Sequence, residues 1–300
     1  MKRSIVTVLF ALLISIAAAP AAQADDAAVL YKQGIALKEQ GKFPQAIATF
    51  EAAVAARDTH GMAWASLGHL YKKSEKMDKA VAAYEKATGL ITKDPVLWSN
   101  LGMAYYRADR KEDALAALIK ACHLDPKNPD IHGNLGTIKR QLGKTKEAIR
   151  HLELAFKYKS TDAIAANNLG IAYRVDNRFA DAEKVLKKAI ALDPTSAQYQ
   201  FNLGVVYRRL ENVDKAIAAY QAAATLDPTM SKAWYDLGHM HRLNHSNEES
   251  IRAFRTFFEL TKDSDPDAAE DAAVQIEALG GVAPPPKKKP KAKKRKKGKR

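Results

Sequence analysis

Residues 197–230, AQYQFNLGVVYRRLENVDKAIAAYQAAATLDPTM, decide how the whole chain is read. They hold two stretches of helical periodicity, broken at Glu211-Asn212 and closed by Leu226-Asp227-Pro228. A step of 34 residues forward from Gly204 lands on Gly238, and steps backward land on Gly170, Gly136, Gly102, Gly68 and Gly34. With 15 glycines in 300 residues, such a ladder means that one structural unit has been copied along the chain. A second ladder keeps the register. Ala46, Ala80, Ala114, Ala148, Ala182 and Ala216 each follow a glycine by 12 residues, and Ser250 ends the row. Glycine inside a helix costs about 1 kcal/mol relative to Ala. Seven of them therefore predict a close approach, in which each glycine lets its helix settle against the small Ala of its partner.

The surroundings of each glycine repeat as well. Leu67, Leu101, Leu135, Leu169, Leu203 and Leu237 precede it, Tyr71, Tyr105, Tyr173 and Tyr207 follow it, and Trp64, Trp98 and Trp234 stand one turn earlier. Trp-x-x-Leu-Gly-x-x-Tyr, then Ala-x-x-x-Phe/Tyr, then Pro resembles the tetratricopeptide repeat. Trp98, Leu101, Gly102, Tyr105, Ala114, Leu118 and Pro126 carry it in one copy. Seven copies run 27–60, 61–94, 95–128, 129–162, 163–196, 197–230 and 231–264. The resemblance implies an all-α fold, a right-handed α-solenoid of helix-turn-helix units that bury their apolar faces only against neighbours. It also implies a non-enzymatic protein–protein interaction scaffold. A composition of 47% hydrophobic but 8% aromatic residues suits such Ala-rich helix pairs.

The ends differ from the repeats. Residues 1–24 read as a secretory signal peptide: Lys2-Arg3, an apolar run over Ile5–Ala19, and Ala22-Gln23-Ala24 as the cleavage pattern. The run is shorter than the roughly 20 residues that span a bilayer, so an exported protein, periplasmic or secreted, is expected. Residues 265–281 are expected to form a C-terminal capping helix with Val274, Ile276 and Leu279 near one side. Residues 282–300, rich in Pro and charge, are expected to be a disordered tail. The net charge of +14 belongs to that tail. Of 48 Lys and Arg, eleven lie in 284–300 and two in 1–24, leaving 35 against 34 acidic groups elsewhere.

The copies are unequal. Gln33 replaces the usual Leu in the first, which has no preceding neighbour. In the fourth, His132 and Lys139 take aromatic places and Ser160 replaces the Pro, so a softer joint is expected there. In the seventh, Ser250 and Phe257 replace the two small residues of the second helix. The turns between paired helices contain Gly41, Asp109, Gly143, Asn177 and Asn212, residues that tolerate turn conformations.

No Gly-x-Ser-x-Gly elbow, phosphate loop, His-Glu-x-x-His or Cys-x-x-Cys is present, so neither catalysis nor a cofactor or metal is expected. Cys122, the single cysteine, excludes an intramolecular disulfide and is expected to pack in the core. His239 and His241, two apart, do not share a helix face, which argues against a metal cluster with His245. Binding remains. In the family the first helix of each pair lines the groove. Asn100, Asn134, Asn168 and Asn202 stand two residues before successive glycines there, and an amide both donates and accepts. Four or five residues after each glycine runs a basic stripe: Lys38, Lys72, Arg107, Arg140, Arg174, Arg208 and Arg242. Together they predict a groove for an extended, acidic or C-terminal-carboxylate peptide. Tyr31, Ala65 and Ser99 stand where the carboxylate-clamp subclass begins its pattern, and they do not match it. A second candidate is the tail, where Lys287, Lys288, Lys289, Lys291, Lys293, Lys294, Arg295, Lys296, Lys297, Lys299 and Arg300 predict contact with an anionic surface, nucleic acid, lipopolysaccharide or acidic polysaccharide.

Overall fold

The computed structural model describes residues 26–284. The signal peptide assigned to 1–24 and the basic residues Lys287–Arg300 lie outside them. Helices α1 (26–39), α3 (Gly61–Lys73), α5 (Pro95–Arg107), α7 (Pro129–Gln141), α9 (Ala163–Val175), α11 (Ala197–Arg209) and α13 (Ser231–Leu243) each lead a pair. Their partners are α2 (Phe43–Ala56), α4 (Met77–Leu90), α6 (Lys111–Leu124), α8 (Thr145–Tyr158), α10 (Phe179–Leu192), α12 (Val213–Leu226) and α14 (Asn247–Thr261). A last helix, α15 (Pro266–Ala278), follows. Asp94 and Asn128 cap α5 and α7, each accepting two backbone N–H bonds just before a Pro at the first helical position.

The described helices form two units, unit 1 ending at Tyr158 and unit 2 starting at Lys159. The boundary falls beside Ser160, which stands where other copies carry a Pro. In unit 1, α3, α5 and α7 lie side by side, each packed on its own partner; in unit 2, α9 lies beside α11 in the same way. This is the α-solenoid class expected from the sequence: one pair's apolar face is covered by the next pair.

The glycines do enforce a close approach, but not onto the Ala side chain. A Cβ on Gly68 would lie 2.7 Å from the Tyr84 ring, and one on Gly136 would lie 2.5 Å from Leu152 Cγ. In both cases the neighbour is 16 residues on, not 12. The alanine's part is to be small enough that its own backbone comes near: the carbonyl of Ala148 would stand 3.0 Å from a Gly136 Cβ. Where Ser250 replaces the Ala, its hydroxyl is fully buried and donates to the Gly238 carbonyl at 2.7 Å.

Each leading helix ends on a residue with a left-handed backbone, and these too recur every 34 residues: Gly41, Glu75, Asp109, Gly143, Asn177, Glu211 and His245, with φ between 56° and 74°. The next N–H reaches back five residues, as from Asn212 to the Tyr207 carbonyl at 3.0 Å, closing the helix end. The sequence placed Asn212 in this role. Instead Asn212 caps α12, its side chain accepting from Lys215 N–H at 3.2 Å, while Glu211 takes the strained conformation. A left-handed conformation costs a residue with a Cβ about 1–2 kcal/mol. Glu211→Gly is therefore expected to stabilise unit 2 by roughly 1 kcal/mol, read as a higher urea midpoint at unchanged slope.

The fourth pair solves its substitutions locally. Trp64, Trp98 and Trp234 each donate their indole N–H to the carbonyl six residues earlier. His132 does the same with its Nε2 to the Pro126 carbonyl at 3.0 Å, and its Nδ1 meets His151 Nδ1 at 3.0 Å. Lys139, in a tyrosine's place, keeps its stem buried and donates to Glu147 at 2.5 Å, holding that carboxyl below its usual range. At the other end, α15 covers Phe254, Phe257 and Phe258 with Ala269, Ala272 and Ile276. Val274, expected on that buried side, is 56% exposed, because the apolar stripe runs at three- and four-residue spacing through the alanines.

Candidate functional site

Because the leading helices repeat in register, residues at the same offset from their glycines line up from helix to helix. In unit 1 the two rows singled out in the sequence interlock. Lys72 Nζ donates to Asn100 Oδ1 at 3.3 Å, bridging α3 and α5. Asn134 Nδ2 donates to Ser99 Oγ at 3.3 Å, bridging α7 and α5. The Tyr106 hydroxyl donates to Gln141. These bonds hold the amides in place without exhausting them, since each amide offers more donors and acceptors than it uses here.

The charge on this part of unit 1 is one-sided. Along α3, α5 and α7 the single acidic residue is Asp130, in the first turn of α7. Among the described residues, Lys38, Lys72, Arg107 and Arg140 have no carboxylate partner. Lys72 lies within electrostatic reach of Arg107. Burial, then Lys72, Lys38 and Lys73, push the His69 imidazole below its usual range. Burial and then Arg107 lower Lys72, and burial lowers Arg140, whose Nε has no hydrogen-bond partner. A partly buried cation beside another, as Lys72 is beside Arg107, gains from an anion placed near it.

Unit 2 treats the same offsets differently. Asn202, expected to face a ligand, is 5% exposed; it donates to Asn167 Oδ1 at 2.7 Å and accepts from Gln198 at 3.2 Å. The pair is a buried bridge between α9 and α11. Asn167, which the sequence reading passed over, is its other half, and its one signal was the doublet Asn167-Asn168. Asn168 and Arg174 are half-buried. Arg208 is bound to Asp236 at 2.9 Å, and Arg242 donates to Gln275 at 2.8 Å, bridging α13 and α15. The seven-member stripe is thus an open cationic row in unit 1, and in unit 2 Arg208 and Arg242 are engaged by neighbouring side chains.

Cys122, expected in the core, is half-buried against it, and burial raises its thiol. His239 lies edge-on to Tyr235 and Phe254, His241 is half-buried, and His245 is the turn residue of its pair. No group of three or more His, Cys, Asp or Glu among the described residues is placed to hold a metal ion. No described helix is long and apolar enough to cross a membrane.

A family model described as the cilia and flagella-associated protein 70 C-terminal domain matches residues 10–232, and a tetratricopeptide repeat model matches 201–269. No curated protein matches the chain in sequence. Among solved structures, MamA is similar at 26% identity and a TM-score of 0.52, over 54% of this chain and 95% of its own. YrrB, described as a TPR protein with an unusual peptide-binding site, is similar at 23% identity and 0.52, over 61% and 95%. A tetratricopeptide repeat protein from Parabacteroides merdae superposes with a TM-score of 0.64 at 14% identity, over 86% of this chain and all of that one.

Proposed function

The chain belongs to the tetratricopeptide repeat family, matched over residues 10–232 through the cilia and flagella-associated protein 70 C-terminal domain, and from that premise we propose that it is a non-enzymatic interaction scaffold. Unit 1 takes an extended acidic segment of a partner protein across α1, α3, α5 and α7. The observation that carries this is the cationic row Lys38, Lys72, Arg107 and Arg140, four like charges on successive leading helices without carboxylate partners among the described residues. Asn100 and Asn134, held by their bridges, offer amides to the segment's backbone. That YrrB, of the same fold, is described with a peptide-binding site supports the choice of ligand class.

A fluorescein-labelled oligoglutamate peptide tests this by anisotropy. The mature chain is expected to bind it, and Lys72→Glu with Arg107→Glu to raise Kd about tenfold or more at low salt. Equal binding by the double variant sinks the proposal.

The reading extends to the cell. The signal peptide at 1–24 exports the protein to the bacterial envelope, and Lys287–Arg300 tether it to an anionic surface. The competing reading makes the tail the functional part, acting on nucleic acid, lipopolysaccharide or acidic polysaccharide with the repeats as a spacer. Eleven positive charges and no acid after Pro286 favour it. Deleting Pro284–Arg300 separates the two: under the first, oligoglutamate binding survives while envelope retention weakens. A mature N-terminus other than Asp25 removes the export step.

A further inference from the structure

Unit 2 carries a cavity of about 410 Å³ where α11, α13, α14 and α15 meet. Its walls are rings: Phe201, Tyr235 and the nearly buried Phe257, with Tyr235 and Phe257 centroids 4.9 Å apart. Two carboxylates enter it, Asp236 from α13 and Asp271 from α15, and Lys232 stands exposed at the rim. Tyr235 donates its hydroxyl to Asp271 at 2.9 Å, which leaves that exposed carboxylate a free oxygen. Asp236 is the deeper acid, its side chain 14% exposed, and among the described residues its ion-pair partner is the well-exposed Arg208. Burial holds its carboxyl above the usual range despite Arg208 and the Tyr220 hydroxyl. A second cation beside it would complete its compensation, and ring faces are the surroundings in which a cation loses least on leaving water.

The neighbouring sequence supplies cations. From Asp263 to Glu277 there are six acids and no Lys or Arg, and Asp267, Glu270, Asp271 and Glu277 are exposed on α15. The next charges in the chain are Lys287 to Arg300, all positive. The exit is fixed in place: Gly281 packs on Ile276 and Ile251, and the Val282 carbonyl accepts from Arg255 at 3.2 Å. Back from the end of α15 to Ala268 is roughly 15 Å. Allowing another roughly 10 Å for a helix width, about eight residues at up to 3.6 Å each reach the cavity.

We propose that the chain's own segment Lys287–Arg300 docks back along α15 and seats one Lys or Arg side chain in the ring-walled cavity beside Asp236 and Asp271. The remaining cations lie against the α15 carboxylates. Docking is independent of what unit 1 binds.

The test uses the full mature chain with Cys122→Ser and a nitroxide on Ala292→Cys, read by paramagnetic broadening of backbone amides. At low salt the amides of Ala268, Asp271 and Tyr235 are expected to lose about half their intensity, given the roughly millimolar effective concentration of a short tether. The loss is expected to vanish in 1 M salt, where the Debye length falls to about 3 Å, and in Asp236→Asn with Asp271→Asn. Asp271→Asn alone, at an exposed site, is expected to give an intermediate loss and guards against misfolding of the double variant. Broadening spread evenly over the chain, broadening unchanged in both variants, or broadening that scales with protein concentration would overturn intramolecular docking.

Discussion

Gly136→Val is expected to destabilise unit 1 by about 3 kcal/mol, while Gly133→Ala, three residues away on α7, is expected to stabilise it by about 0.5–1 kcal/mol. Both replace a helical glycine by a residue with a Cβ, so propensity alone predicts gains or small losses at both. Space decides. Nothing lies within 4 Å of a Cβ at position 133, so the substitution there simply removes unfolded-state freedom. At position 136 the Cβ itself would sit 2.5 Å from Leu152 Cγ and 3.0 Å from the Ala148 carbonyl, and Val adds two methyls beyond it. Leu152 is fully buried and cannot swing aside, so α7 must separate from α8. Urea unfolding of the two single variants checks the pair. A Gly136→Val protein as stable as wild type would show that the close approach is not required.

His132→Ala is expected to cost unit 1 about 2–3 kcal/mol at neutral pH, and the wild-type pair is expected to make unit 1 acid-sensitive. The tautomers follow from one bond. The Pro126 carbonyl only accepts, so His132 carries its proton on Nε2; neutral, it accepts at Nδ1, and His151 donates there. Truncating His132, which is 3% exposed, leaves a buried carbonyl and the His151 N–H without these bonds, and a hole beside them. Acid acts on the same pair. Burial first, then the nearby His132, Lys139 and Arg150, hold His151 at about 4 against an ordinary 6.5, with Glu147 opposing. Between those values the unfolded chain takes up a proton that the folded chain refuses. Stability from this group is therefore full above about pH 6.5 and is lost as pH falls toward 4. Discounted for a half-buried ring, the loss is about 1–2 kcal/mol. His151→Asn, whose side-chain N–H can still donate to His132, is expected to flatten the pH dependence of the unit 1 transition. An unchanged slope would place the acid sensitivity elsewhere.

The fold was legible because its demands recur: a glycine wherever two helices touch prints itself every 34 residues, and no single copy has to be read correctly. What escaped were features with a partner in another copy. Position alone could not distinguish Asn134, whose amide rests on a serine hydroxyl, from Asn202, which is closed by Asn167. Arg208 and Arg140 occupy the same place in the repeat, yet one meets Asp236 and the other has no carboxylate, a difference set by the following pair. The contact sixteen residues from each glycine was missed for a related reason. Phe50, Tyr84, Leu118 and Leu152 share a role but no side-chain type, whereas the alanine row is nearly invariant and drew the eye. The turn at Glu211 and the cavity at Phe201, Tyr235 and Asp271 required backbone angles and separations of up to seventy residues that periodicity does not encode.

The interlock at each glycine has an evolutionary corollary. The contact between paired helices rests on the one amino acid that has no side chain, and a Cβ there would come within 2.5–2.7 Å of its neighbour whether that is Phe50, Tyr84 or Leu118. The packing within each pair and the proposed recognition therefore draw on separate positions. The outward offsets of α3, α5 and α7 are at liberty to drift, duplicate or exchange charge, and such a chain acquires new binding tastes by surface mutation without renegotiating its architecture.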